Sequence, residues 1–134
     1  MLNIKNLYSY YGSIEALKDI NMVVKEGSIT CLIGSNGAGK TSLLKAISNT
    51  INSTGSINFD NQELLKLSTK KIAELGIIHV PEGRHIFAGL SVEENLEVAT
   101  INWHGIFGKY SYSKELENVY NLFPRLKERR KQLG

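Results

Sequence analysis

The chain has 134 residues, 42% apolar and 22% charged, which is the composition of a water-soluble chain of at most one domain. No apolar run approaches the ~20 residues of a membrane-spanning helix, and the opening MLNIKNLYSYYG lacks the apolar core of a secretory leader, so a cytosolic location is expected. The net charge of +3 is too small to mark a nucleic-acid binder by itself.

Residues 2 to 8 (LNIKNLY) and 20 to 25 (INMVVK) alternate apolar with polar side chains, the pattern of half-buried antiparallel strands. Between them Tyr10-Tyr11-Gly12 places an aromatic pair at a turn. An exposed aromatic can stack on a nucleobase, but on the residues alone Tyr11 reads first as a packing residue. Glu26-Gly27 then turns the chain into SITCLI, residues 28 to 33, which reads as a buried strand. The single cysteine, Cys31, lies inside it, which fits a reducing compartment and a packing role.

The next stretch, Gly34-Ser35-Asn36-Gly37-Ala38-Gly39-Lys40-Thr41-Ser42, reads GxxxxGKT between that strand and an apolar-periodic helix carrying Leu43, Leu44, Ala46 and Ile47. A polyphosphate can be wrapped only where consecutive backbone N–H groups turn inward on one centre, which residues without bulky side chains permit. A helix opening at about Lys40 adds roughly half a positive charge at the same place. In this pattern Lys40 reaches the β and γ phosphates, the Thr41 hydroxyl is placed on Mg²⁺, and Ser42 bonds a phosphate oxygen nearer the sugar.

Beyond a helix to about residue 49, NTINSTG is a loop and SINF a short strand with Gly55 at its turn. Ser68 caps a helix TKKIAEL that stops at Gly76 and passes into an apolar strand, IIHV, giving a layered α/β order. His79 within that strand reads as packed or at an edge. Pro81 ends the strand, and the loop Glu82 to Gly89 follows. Ligands bind at strand ends of such sheets, so Glu82 is a candidate for Mg²⁺ or for the attacking water. Ser91 and Glu94 form a capping box that opens the helix SVEENLEVA. Residues 102 to 112 (NWHGIFGKYSY) read as a loop or helix junction, and the helices SKELENVYNLF and PRLKERRKQL close the chain. The cations Arg125, Lys127, Arg129, Arg130 and Lys131 read as a solvated helix face, and no nucleic-acid partner is expected.

Over its whole length the sequence resembles the nucleotide-binding subunit of ABC transporters. Five features carry the resemblance in order and spacing: Tyr11 before glycine, the Walker A loop GSNGAGKTS, the strand end HVPEG at the Q-loop position, the segment FAGLSVEENL, and the run FPRLKERR. The wording VPEGRHIFAGLSVEENL is similar to the branched-chain amino acid importers, whose ATPase subunits carry Glu where most ABC proteins carry Gln. Glu82 departs from the general pattern and agrees with that subgroup.

The resemblance implies an α/β P-loop NTPase fold: residues 1–100 as an antiparallel β layer with part of the RecA-like core, and about 101–134 as the start of a helical subdomain. It implies that Tyr11 stacks on adenine, that Gly34 to Ser42 hold ATP and Mg²⁺ with Lys40 in a catalytic role, and that Glu82 sits near Mg²⁺ and the γ phosphate. It also implies that Gly83 to about Glu97 touches a permease subunit at the inner face of the membrane. A second ABC ATPase subunit completes each site. The LSGGQ signature, the Walker B aspartate, the catalytic glutamate and the switch histidine are expected beyond Gly134. The 134 residues are therefore expected to be the N-terminal part of an ATPase, binding nucleotide without turning it over. The competing readings are an ABC ATPase for another solute, a non-transport ABC protein acting on nucleic acid or ribosomes, and a small-molecule kinase or GTPase, the last disfavoured because DxxG and NKxD are lacking.

Overall fold

The two N-terminal alternating segments form one long hairpin. In the computed structural model, which describes residues 1–83, 85–100 and 112–134, strand β1 runs Leu2–Tyr11 and β2 runs Ile14–Val24. They pair antiparallel through Tyr11 opposite Ile14, with Gly12 and Ser13 as a two-residue loop. Both strands are longer than their alternation indicates, because the strict period of two breaks in β1. Lys5 and Asn6 are exposed in succession, Asn6 takes φ 46°, and the register shifts between Ile4 and Leu7. This irregularity re-phases the strand, so that Ile4, Leu7 and Ser9 are all buried.

Side chains hold the bulge in place. The Asn6 N–H donates to Asn21 Oδ1 at 2.9 Å, and Asn6 Nδ2 donates to Asp19 Oδ1 at 3.0 Å. On the other flank β3 (Asn52–Phe59) pairs antiparallel with β1 and brings Gly55 against the bulge. Gly55 lies inside this strand and not at a turn, as the sequence led us to expect. Its φ is 104°, and a Cβ there would lie 2.2 Å from the Asn6 carbonyl oxygen, so only glycine lets the two backbones approach.

A short β4 (Gln62–Glu63) completes a four-stranded sheet in the order β2-β1-β3-β4. Its inner face carries Ile4, Leu7, Leu17 and Ile57. Against them pack Leu43 and Ala46 of α1 (Lys40–Ile47), Leu64 of a 3-10 turn, and Ile72 of α2 (Thr69–Glu74). The Lys71 N–H donates to Ser68 Oγ at 3.3 Å, the expected N-cap, and α2 gives way at Gly76 with φ 87°.

Two expected core strands do not form ladders. Residues 28–33 and 77–80 pair with no strand among the described residues, and Ile29, Ile33 and Val80 are 95%, 96% and 82% exposed. A parallel strand is defined by its neighbours as much as by its own apolar run, and these neighbours are lacking among the described residues. Cys31 is accordingly exposed and not packed. His79 is half-buried, in keeping with its reading as a packed or edge residue.

The contacts divide the chain into Met1–Val80, described above, and Pro81–Gly134. The second unit holds α3 (Val92–Thr100), α4 (Tyr112–Leu122) and α5 (Pro124–Glu128). Of the stretch 102 to 112, residues up to Ser111 lie outside the described residues, as does Arg84 of the loop after Pro81. The capping box is formed: Glu94 Oε2 accepts from the Ser91 N–H and from Ser91 Oγ, both at 2.7 Å, and the Glu94 N–H donates to Ser91 Oγ at 3.3 Å. The last helix ends at Glu128, earlier than its apolar pattern predicts, because residues 130–134 turn back onto α3. The Val92 and Glu93 N–H groups donate to the Gln132 and Arg130 carbonyls, and the Gly134 N–H to that of Leu90. Those carbonyls satisfy first-turn donors of α3 that no intrahelical partner can reach.

Leu7 is fully buried and Ile14 is 70% exposed. Leu7→Ala is expected to destabilise the chain by about 2 to 5 kcal/mol, and Ile14→Ala by less than about 0.5 kcal/mol, as read from urea unfolding midpoints. The Ser91 N–H, and then its hydroxyl, hold the Glu94 carboxyl below the ordinary carboxylate range. A folded value below the unfolded one means that the cap stabilises α3 above the unfolded pKa and loses that contribution as pH falls through the folded one. NMR titration should therefore show an acid transition at the Ser91 amide that Glu94→Gln abolishes; its survival in the variant would refute the cap.

Candidate functional site

Gly27 at φ 66° turns the chain out of β2, with Ser28 Oγ donating to the Lys25 carbonyl at 2.6 Å, and residues 28–33 then run extended to the glycine-rich loop. The loop closes on itself through the Ala38 N–H and the Ser35 carbonyl at 3.2 Å. It ends at Gly39, the N-cap of α1, with φ 85° and no side-chain cap. A Cβ at Gly39 would lie 2.8 Å from Leu17 Cδ2 and 3.2 Å from the Ala16 carbonyl oxygen, so the loop sits directly on β2, and at φ 85° any side chain there would be strained. The first helical hydrogen bond runs from the Leu43 N–H to the Gly39 carbonyl at 2.9 Å. The N–H groups of Lys40, Thr41 and Ser42 come before it, which leaves a helix N-terminus open to an outside acceptor.

Lys40 Nζ folds back over the loop and donates to the Gly34 carbonyl at 2.8 Å and the Ser35 carbonyl at 2.6 Å. An ammonium has three donors, and two of them are held here by neutral acceptors. A phosphate oxygen offers a charged acceptor and the stronger bond, so the lysine is positioned to exchange a carbonyl for an anion. Ser35, Asn36, Gly37 and Ala38 are exposed along the loop, and Thr41 is exposed at the first turn of α1. The donor set is therefore one that a triphosphate fits: backbone N–H groups, one ammonium and a hydroxyl.

Tyr11 is the last residue of β1, and the hairpin brings it to α1. Ser42 Oγ donates to Tyr11 Oη at 3.4 Å, and Lys45 Nζ lies 5.4 Å from the centre of the Tyr11 ring. The ring remains 40% exposed. The structure thus gathers Tyr11, the loop 34–39, Lys40, Thr41 and Ser42 in one place. Lys45 was not singled out in the sequence, because the GxxxxGKT pattern ends before it.

Glu82 is exposed at the start of the second unit, its carbonyl hydrogen-bonded to the His85 imidazole. Downstream, Asn95 of α3 organises the loop that sequence reasoning marked only as a segment. Its Oδ1 accepts from the Phe87 N–H at 2.8 Å, and its Nδ2 faces the carbonyls of Phe87, Leu90 and Ser91 at 3.0 to 3.1 Å. Beside this clamp, Ile86, Phe87, Val92, Leu96 and Leu126 line an apolar cavity of about 480 Å³. Among the described residues, no cluster of three or more His, Cys, Asp or Glu could hold a metal ion, and no helix is long and apolar enough to cross a membrane.

A family model described as ABC transporter matches residues 17–133. The chain belongs to the ABC transporter ATP-binding family. It is 42% identical over 134 residues to the "High-affinity branched-chain amino acid transport ATP-binding protein BraG" of Pseudomonas aeruginosa, covering 98% of this chain and 55% of that one. To the "Probable branched-chain amino acid transport ATP-binding protein LivF" of Archaeoglobus fulgidus it is 32% identical over 129 residues, covering 95% and 52%. Among solved structures, the ATP-binding subunit of an ABC transporter superposes with a TM-score of 0.76 at 26% identity, over 98% of this chain and 53% of that one. The fold is thus the ABC ATP-binding cassette, a P-loop NTPase with an antiparallel N-terminal sheet. The chain spans about half the length of the curated relatives it matches.

Because Gly39 is seated against the Ala16 backbone at positive φ, Gly39→Ala is expected to lower the thermal midpoint clearly, whereas Ala38→Gly, in the exposed part of the loop, changes it little. Equal midpoints in differential scanning calorimetry would contradict the described seat.

Proposed function

We propose that this chain supplies the ATP-binding face of a transport ATPase that drives import of branched-chain amino acids. The observation that carries the reading is the joint placement of Lys40 on the loop carbonyls and Tyr11 beside Ser42, which sets a phosphate cradle and a base platform side by side. In this reading the triphosphate replaces the Gly34 and Ser35 carbonyls as the partner of Lys40, and N–H groups between Ser35 and Ser42, other than the Ala38 N–H that closes the loop, surround it. Adenine stacks on Tyr11. Thr41 offers its hydroxyl to Mg²⁺, and Glu82 approaches the ion and the γ phosphate as the Q-loop residue of the branched-chain subgroup. The choice of solute is supported by the similarity to the two branched-chain amino acid proteins, since solute selection itself falls to other subunits.

The segment from Gly83 to Glu97 would receive a permease subunit on the cytoplasmic face of the membrane. The Asn95 clamp and the apolar cavity beside Phe87 support that role, because a helix of the permease could lay an apolar side chain there. A second ABC ATPase subunit would close the nucleotide from the opposite side, and hydrolysis would require it. Within these 134 residues the proposed activity is nucleotide binding without turnover.

Titration of the chain with Mg-ATP tests this reading. Lys40→Ala removes a charge-assisted hydrogen bond worth about 1.5 to 3 kcal/mol, so affinity should fall by about ten- to a hundredfold. Unchanged affinity would reject the cradle, and sustained phosphate release that Lys40→Ala abolishes would reject the claim that the 134 residues do not turn ATP over.

A further inference from the structure

Helix α1 presents two side chains to Tyr11, and the P-loop pattern accounts for one of them. Ser42 and Lys45 stand three residues apart and share a helix face. That face meets Tyr11 at both ends, Ser42 at the hydroxyl and Lys45 at the ring. An ammonium 5.4 Å from a ring centre is within cation–π range and occupies one of the two ring faces. Tyr11 keeps 40% of its surface exposed, room enough for a planar partner, whose seat would be the face away from Lys45. A cation on one face draws π density toward itself, which makes the other face a better seat for an electron-rich purine.

We propose that Lys45 is a positioning residue for the base of the bound nucleotide: its ammonium backs the Tyr11 ring and fixes the ring's angle over the loop, so that the purine stacks on the free face. The inference rests on the reading of Tyr11 as a base platform given above. Lys45 is not a second phosphate ligand, because at 1.5 Å per residue it starts roughly 7.5 Å farther along the helix axis than Lys40. Ser42 alone would leave the ring free to swing about its hydroxyl. Two contacts from one helix face, one at the hydroxyl and one over the ring, restrict that freedom. The site thus lowers the ordering cost of binding by holding the platform before the ligand arrives.

The test compares the affinities of the chain for Mg-ATP and for inorganic tripolyphosphate with Mg²⁺, by isothermal titration calorimetry. Their ratio reports chiefly the contribution of the nucleoside, since both ligands carry the same chain of three phosphates. Lys45→Met should lower the ratio about two- to fivefold, the range of an exposed cation–π contact. Lys45→Arg, whose guanidinium also stacks, should keep the ratio, and in a Tyr11→Leu background Lys45→Met should leave it unchanged. Circular dichroism confirms that each variant is folded. A ratio unaltered by Lys45→Met, with or without equal weakening of both ligands, would overturn the proposal. A ratio raised by that change would overturn it too, since the ammonium would then occupy the face that the base needs. If the unmodified chain binds both ligands equally, the platform reading of Tyr11 fails, and the role of Lys45 fails with it.

Discussion

Backbone donors can face a single point only if the chain around them is held still by other contacts, and the arrangement of Met1–Val80 follows from that constraint. The loop from Gly34 to Gly39 has one closing hydrogen bond of its own, between Ala38 and Ser35. Its rigidity comes from its surroundings. On one side Gly39 is seated on Ala16 and Leu17 of β2; on the other Leu43 and Ala46 anchor α1 in the core. That core is assembled by β1, whose bulge at Asn6 turns Ile4 and Leu7 inward together. A packing irregularity near the N-terminus therefore supports the seat of the glycine-rich loop.

The same hairpin fixes the distance between cradle and platform. Tyr11 ends β1 and Leu17 lies early in β2, so the residue proposed to stack on the base and the residue against which the loop rests belong to one two-stranded unit. Such a unit bends little along the strand direction. In the proposed reading, the separation of base and phosphates would follow from the strand register that places Tyr11 and Leu17.

What could be read from the sequence was what is locally determined. The Ser68 cap, the Ser91–Glu94 box, the stop at Gly76 and the helix opening at Lys40 each depend on residues within a few positions of one another, and each is formed as read. Features that depend on distant partners were not legible. The bulge at Asn6 needs Asn21, Asp19 and Gly55, none of which announces itself in the alternation of LNIKNLY. SITCLI and IIHV carry the apolar run of buried strands, yet burial belongs to the neighbours they pair with, and Cys31 shares their exposure. Lys45 was hidden for a related reason: its partner is an aromatic ring 34 positions away, and helix spacing alone gives no sign of it. The five-residue last helix likewise reflects a tertiary demand, since residues 130–134 are recruited to satisfy the start of α3.

The Asn95 amide has a mechanical consequence. By holding Phe87, Leu90 and Ser91 with one planar group, it joins the loop to α3 so that the two have little freedom to yield separately. Phe87 and the start of α3 are thus tied through one side chain and not through the backbone alone. Replacing Asn95 would therefore release three loop residues at once, whereas a change at any one of them would leave the other ties in place.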